Sequence, residues 1–291
     1  MPPIAGLTLL FVVSSPAAVS PLEVQGHRGA RARFPENTLP AFEHAVQVGA
    51  DVLELDLVVS KDDRLVIGHD PILDPALCRR ANGPLPAGLA VRSLSYAELE
   101  RLDCGGQRHP RFPKQTLVPG AKMPTLEALL AWLQSSKLPG AKSVRLNIEA
   151  KSEPTRPDLQ PEPEIFAGLI LKALKVHGFL DRVVIQSFDY RILAAVQQQA
   201  PQVPTAILIS ENLLPLVPVA QATGARIVSP SHEWVTETLV KALHEAGVKV
   251  VPWTANTPEV WDRLIAWRVD GIITDDPEAL IAHLKTKGRR P

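Results

Sequence analysis

The sequence has no excess of either charge: Lys+Arg and Asp+Glu each number 31 in 291 residues, so the formal net charge is zero. A chain without a basic field lacks the electrostatic footprint of a nucleic-acid binder, and the expected ligand is small. Cysteine is nearly absent. The two present, Cys78 and Cys104, lack the spacing of a zinc site. They leave two alternatives, a disulfide in an oxidising compartment or two small buried hydrophobes in the cytosol. A membrane-spanning run is missing from the N-terminal region, where the apolar stretch Ile4 to Val13 has the length of a signal-peptide core. The small residues of "SSPAAVS" follow it, although no Lys or Arg precedes Val13. The expectation is a signal peptide over residues 1–20 and a periplasmic or secreted mature chain; without that signal the chain would be cytoplasmic. A glycine-rich GxGxxG turn is also missing. "GHRGARARF" stands after the first strand instead, which argues against a two-domain dinucleotide-binding arrangement. Proline is plentiful, with 28 residues against a usual share of ~5%, but it forms no tract, so disorder is not implied.

What is present is a repeating unit, a short apolar strand followed by an amphipathic helix. Strands are expected at 24–26, 51–59, 144–150, 183–188, 205–209, 225–229, 248–254 and 271–274. Helices are expected at 40–48, 125–135, 164–177, 190–199, 213–223, 236–246 and 258–267, several ended by a glycine that supplies the left-handed cap. Eight strands alternating with helices predict an α/β fold, a (β/α)8 TIM barrel over residues 21–286. One unit breaks the rhythm: about 71–124 forms a loop-rich insertion after the second strand, with a short helix near 95–102.

Active sites on such barrels gather at the C-terminal ends of the strands. His27 and Arg28 follow strand one, Glu54 and Asp56 lie on strand two, and Glu149 and Lys151 close strand three. Ser187 and Phe188, Trp253 and Asp275 close or follow later strands. In "DVLELDLVV" the acids alternate with leucines, which puts Glu54 and Asp56 on one face. Buried together they repel unless something positive lies between them. With Glu149 they make a set of three carboxylates that suits a hard divalent cation, Ca2+ or Mg2+; ion pairs with lysine and arginine are the alternative. His69 ends "RLVIGHD", a strand returning as a hairpin from "SKDDR", and it comes back toward the acids near His27.

These residues carry a resemblance. "GHRGARARFPENTLPAFEHAVQVGADVLELDLVVSKDDRLVIGHD", with "NIEAK", "QSFD", "VVPWTAN" and "DGIITDDP" in order after it, resembles the glycerophosphodiester phosphodiesterase family from about residue 24 to 282. The resemblance implies a barrel that hydrolyses small glycerophosphodiesters to an alcohol and sn-glycerol 3-phosphate with a divalent metal. It implies His27 and His69 as catalytic, Glu54, Asp56 and Glu149 as metal ligands, and Arg28 and Lys151 as phosphate-binding. Phe188 and Trp253 are expected to meet substrate, and Glu36 either orients Arg28 or binds a substrate hydroxyl. Asn37 or Thr38 is expected to cap the first helix, with Pro40 in its first turn. The insertion resembles that of exported members. Ala150 and Ala255 stand where larger aliphatic residues are common. The family further suggests attack by the glycerol hydroxyl beside the ester, with His27 as first base and His69 as acid. Two other functions stay open: a phospholipase D-like enzyme of the same superfamily acting on sphingomyelin or lysophospholipids, and a non-catalytic binding barrel. The oligomeric state is not written in the sequence.

Overall fold

Alternation of apolar strand and amphipathic helix builds a barrel in the computed structural model, which describes residues 22–211 and 214–290. The segment read as a signal peptide lies outside the described residues. Eight parallel strands run β1 (Glu23–Gly26), β2 (Val52–Val59), β4 (Arg145–Ala150), β5 (Val183–Ser187), β6 (Thr205–Ile209), β7 (Ile227–Pro230), β8 (Lys249–Val250) and β9 (Gly271–Thr274). The ladder order is β8-β7-β6-β5-β4-β2-β1-β9. Three backbone bonds close the remaining seam, Asp270 N–H to Val250 O at 2.9 Å, Ile273 N–H to Pro252 O at 3.0 Å and Ala255 N–H to Ile273 O at 3.0 Å. The expected hairpin is present: β3 (Leu65–Ile67) returns antiparallel along β2, with Leu57 opposite Ile67.

Helices cover the outside: α1 (Leu39–Val48), α3 (Leu126–Ser135), α4 (Pro163–Val176), α5 (Tyr190–Gln199), α6 (Leu216–Thr223), α7 (Glu237–Glu245), α8 (Pro258–Ala266) and α9 (Pro277–Thr286), with the short α2 (Tyr96–Leu99) in the insertion. In α1 the buried residues are Ala41, Phe42, Ala45 and Val46, the one-sided stripe that a 3.6-residue period produces. Burying Phe42 alone stabilises the layer by about 2–3 kcal/mol. Gly49, at φ 91°, ends the helix with its N–H on the Ala45 and Val46 carbonyls.

The structure departs from the sequence reading in several places. The ladder of β8 stops at Val250 instead of running to residue 254. Val251 N–H still reaches Val228 O, but Pro230 on β7 has no N–H to return to the Val251 carbonyl, and beyond that gap Trp253 makes a single bridge with Ser231. α9 was not expected, although Asp276 caps it by accepting from Ala279 N–H and Pro277 opens its first turn. α6 begins at Leu216, and the expected start at residue 213 lies outside the described residues.

The insertion has a small core of its own. Leu73, Leu85, Val91, Leu99, Leu102 and Met123 pack with Val58 and Val66 of the hairpin, and Cys78 and Cys104 form a disulfide across it. Ser95 and Glu98 make a reciprocal capping box at the start of α2. The insertion arches back over the end of β1, where Gln115 Nε2 donates to Phe34 O at 3.0 Å and Thr116 N–H to Arg33 O at 2.8 Å.

Candidate active site

Pairing of β2 with β4 brings the acids together. Asp56 lies directly opposite Glu149 in the register, and Glu54 shares the inward face of β2. All three are buried, and ligand oxygens from them lie within 4.8 Å of one another. Burial, reinforced by the charges of Asp56 and Glu149, raises the Glu54 carboxyl well above the usual range. Burial also raises Glu149, against the pull of Lys151. Asp56 goes the other way. Burial opposes its ionisation, but Arg28, Lys151 and His69, with a hydrogen bond from Asn37, hold it well below the usual carboxylate range.

Cations partly offset the cluster. Lys151 Nζ is 2.8 Å from Glu149 Oε1 and 3.8 Å from Asp56 Oδ1, and Arg28 Nε is 3.2 Å from Asp56 Oδ2. Yet Asp56 Oδ1 is buried with no hydrogen-bond partner among the described residues. A buried acceptor in that state is costly, and an unpaired oxygen among three carboxylates is the donor chemistry a hard divalent cation takes. The residues therefore fit the metal expected of them.

Both histidines reach the cleft. His27 Nδ1 is 2.6 Å from Asp275 Oδ1 and its Nε2 is 3.9 Å from Glu54 Oε2. Burial pulls its proton affinity below the ordinary value, although the Asp275 hydrogen bond and charge act in the opposite sense. His69 Nδ1 meets Asp70 Oδ1 at 2.7 Å. The turn carrying His27 and Arg28 depends on two glycines. A Cβ on Gly26 would lie 2.2 Å from Gly29 O, and one on Gly29, at φ 86°, would lie 2.7 Å from the Ala41 carbonyl carbon. Only glycine fits such approaches, and the compact turn lets Arg28 N–H donate to Glu54 Oε2 at 2.9 Å.

His27, Arg28, Glu54, His69, Glu149, Lys151, Phe188 and Trp253 all line one cleft of about 360 Å³. Phe188 and Trp253 meet edge to face at 5.7 Å. Asp56 lies beneath them, fully buried. Glu36 does not line this cleft. It accepts from Arg28 Nη1 at 2.5 Å, with Arg31 Nε and His109 Nε2 each at 3.6 Å, so of the two expected roles the geometry shows the orientation of Arg28.

Four residues matter here that sequence reading gave no such role. Asp275 was noted at a strand end, and only closure of the barrel between its first and last strands puts it on His27. Asn256 holds Asp275, Nδ2 to Oδ2 at 2.8 Å, and Gln186 Nε2 holds Glu54 Oε1 at 2.9 Å. Asn37, expected as a helix cap, instead donates from Nδ2 to Asp56 Oδ2 at 2.9 Å. Thr38 takes the cap position without capping, since its hydroxyl donates to Pro35 O. Gln186 was signalled by a polar amide directly after the apolar run 183–185 of β5; a cap and a ligand-holding amide look alike in sequence, which hid Asn37.

Comparison with known proteins gives one consistent answer. The profile of the glycerophosphoryl diester phosphodiesterase family matches residues 27–279. A glycerophosphodiester phosphodiesterase of Caldanaerobacter subterraneus is 36% identical over 265 residues, covering 91% of this chain and 98% of its own. Another, from Bacillus subtilis, is 31% identical over 269 residues, covering 90% and 85%. Among solved structures, a candidate glycerophosphoryl diester phosphodiesterase from Silicibacter pomeroyi superposes with a TM-score of 0.84 at 31% identity, covering 92% of this chain and 95% of its own.

Proposed function

The chain belongs to the glycerophosphoryl diester phosphodiesterase family and is a phosphoric diester hydrolase; we propose that it cleaves small glycerophosphodiesters to an alcohol and sn-glycerol 3-phosphate by two-histidine acid–base chemistry. The observation that carries this is the meeting, in one cleft, of three buried carboxylates with two histidines that each give Nδ1 to an aspartate. Glu54, Asp56 and Glu149 would hold Ca2+ or Mg2+, which supplies positive charge to the phosphoryl oxygens.

The protein's own groups carry the protons. Burial favours the uncharged form of His27 at neutral pH, and Asp275 keeps the ring proton on Nδ1, so Nε2 is the base. Asp275 can do this because it stays ionised: burial opposes that, but His27 and Arg31 hold its carboxyl at about 2. In the first step the glycerol hydroxyl beside the ester gives its proton to His27 as its oxygen bonds phosphorus. The bond from phosphorus to the alcohol breaks, and His69 protonates the departing oxygen. Water then opens the cyclic phosphate, giving its proton to the neutral His69 while His27 returns one to the glycerol oxygen. Arg28 and Lys151 offset the charge that builds on the phosphoryl oxygens, and Phe188 and Trp253 form an apolar wall for substrate carbons.

We also place the mature protein outside the cytosol. The Cys78–Cys104 disulfide supports that compartment, and recovery from the native host with Met1 intact would contradict it.

A panel of glycerophosphodiesters with one lysophospholipid tests the function. Water-soluble diesters should release sn-glycerol 3-phosphate, EDTA should abolish release, and Ca2+ or Mg2+ should restore it. Full activity after metal stripping contradicts the carboxylate site, and preference for the lysophospholipid favours the phospholipase D-like alternative.

A further inference from the structure

The cleft has two unlike walls. Phe188 and Trp253, at the ends of β5 and β8, form one and carry no charge. On the other side the insertion, tied down over the end of β1, brings Arg111 into the lining. The remaining cations of the cleft are engaged: Arg28 by Glu36 and Asp56, Lys151 by Glu149, and Arg31 by Asp275 and Glu36. Arg111 differs. Among the described residues it has no ion-pair partner, and it is exposed. Its place is nonetheless defined, because its backbone N–H donates to His109 Nδ1 at 3.0 Å and its guanidinium lies 5.8 Å from the centre of the Phe112 ring. The guanidinium of Arg31 packs on the same ring at 4.9 Å, which adds to the positive field on that side.

A phosphodiester carries one alcohol on each side of phosphorus. With the phosphate between the walls, at Arg28 and Lys151, one alcohol extends to the aromatic wall and the other toward Arg111. A guanidinium with unpaired donors beside a substrate site gains most from a planar anion, which it can grip with two hydrogen bonds. We propose that Arg111 is a specificity residue that recognises an anionic group on the departing alcohol, so that alcohols bearing a carboxylate are favoured. This inference rests on the hydrolysis proposed above and names its substrate class.

Glycerophosphoserine and glycerophosphoethanolamine differ by one carboxylate, which makes their ratio of kcat/KM the readout. Measuring both on one enzyme preparation cancels any change in folded fraction. The ratio should exceed one in the unaltered protein and fall about tenfold in Arg111→Ala, as expected for a lost charge-assisted hydrogen bond. Arg111→Lys should keep part of it, and high salt should narrow it. A ratio that Arg111→Ala leaves unmoved, with both diesters still cleaved, overturns the inference and spares the hydrolysis. If neither diester is cleaved by the unaltered protein, the hydrolysis itself is wrong.

Discussion

His27 and His69 are built alike and housed differently. Each gives Nδ1 to a carboxylate at nearly the same distance, 2.6 Å to Asp275 and 2.7 Å to Asp70. The His27 pair lies on the floor of the cleft, its side chains 13% and 9% exposed, against 28% and 46% for the His69 pair. Asp275 is itself held, by Asn256 and by Arg31 at 3.3 Å. For Asp70 the only side-chain partner among the described residues is His69. Burial explains the difference, because a carboxylate taken out of water needs protein donors to replace its hydration, whereas an exposed one keeps water. The buried station is therefore fixed by a network, and the exposed one by a single bond.

The largest effects should not distinguish the stations. His27→Ala and His69→Ala each remove a proposed proton carrier and should lower kcat by at least ~100-fold. A smaller loss at either, measured at saturating substrate, would remove that ring from the proton path. The aspartates should differ. Asp275→Asn removes a buried partner and should lower kcat by roughly 10- to 100-fold, because the amide leaves the ring free to take the wrong tautomer. Asp70→Asn should cost only a few-fold, since water can replace an exposed carboxylate. Equal losses in the two variants would contradict the comparison.

The pH profile sharpens it. Burial places the pKa of His27 below 6.5, so the acid limb of kcat/KM should fall below that value. The Asp275 charge favours imidazolium, and its removal should move the limb lower still; an upward move would mean the limb belongs to another group. Smallest in activity should be Cys78→Ser with Cys104→Ser. Opening a link between residues 26 apart should cost about 3 kcal/mol of stability, read by thermal unfolding, with the residues of the cleft floor untouched.

The same contrast governs what could be read in the sequence. The eight strands were legible because each is a short apolar run set off by turn residues. The acids of β2 were legible because they alternate with leucines. The His69–Asp70 contact joins neighbours in the chain. The His27–Asp275 contact joins residues 248 apart and exists only because the barrel closes, so no local pattern announces it. Asn37 was hidden for a related reason: its φ of 56° turns its amide down onto Asp56 instead of along the helix start. The shortening of β8 was hidden in the same way, since the donor it lacks is that of Pro230 on the neighbouring strand β7.

The central claim is that the substrate's own hydroxyl attacks phosphorus while His27 takes its proton. It is tested most directly by a glycerophosphodiester analogue lacking the hydroxyl beside the ester oxygen, with its affinity measured separately as inhibition of the parent diester. The account predicts that the analogue binds and is cleaved at least ~100-fold more slowly, since the attacking group is gone. Binding followed by cleavage at the parent's rate would contradict it and assign the attack to water.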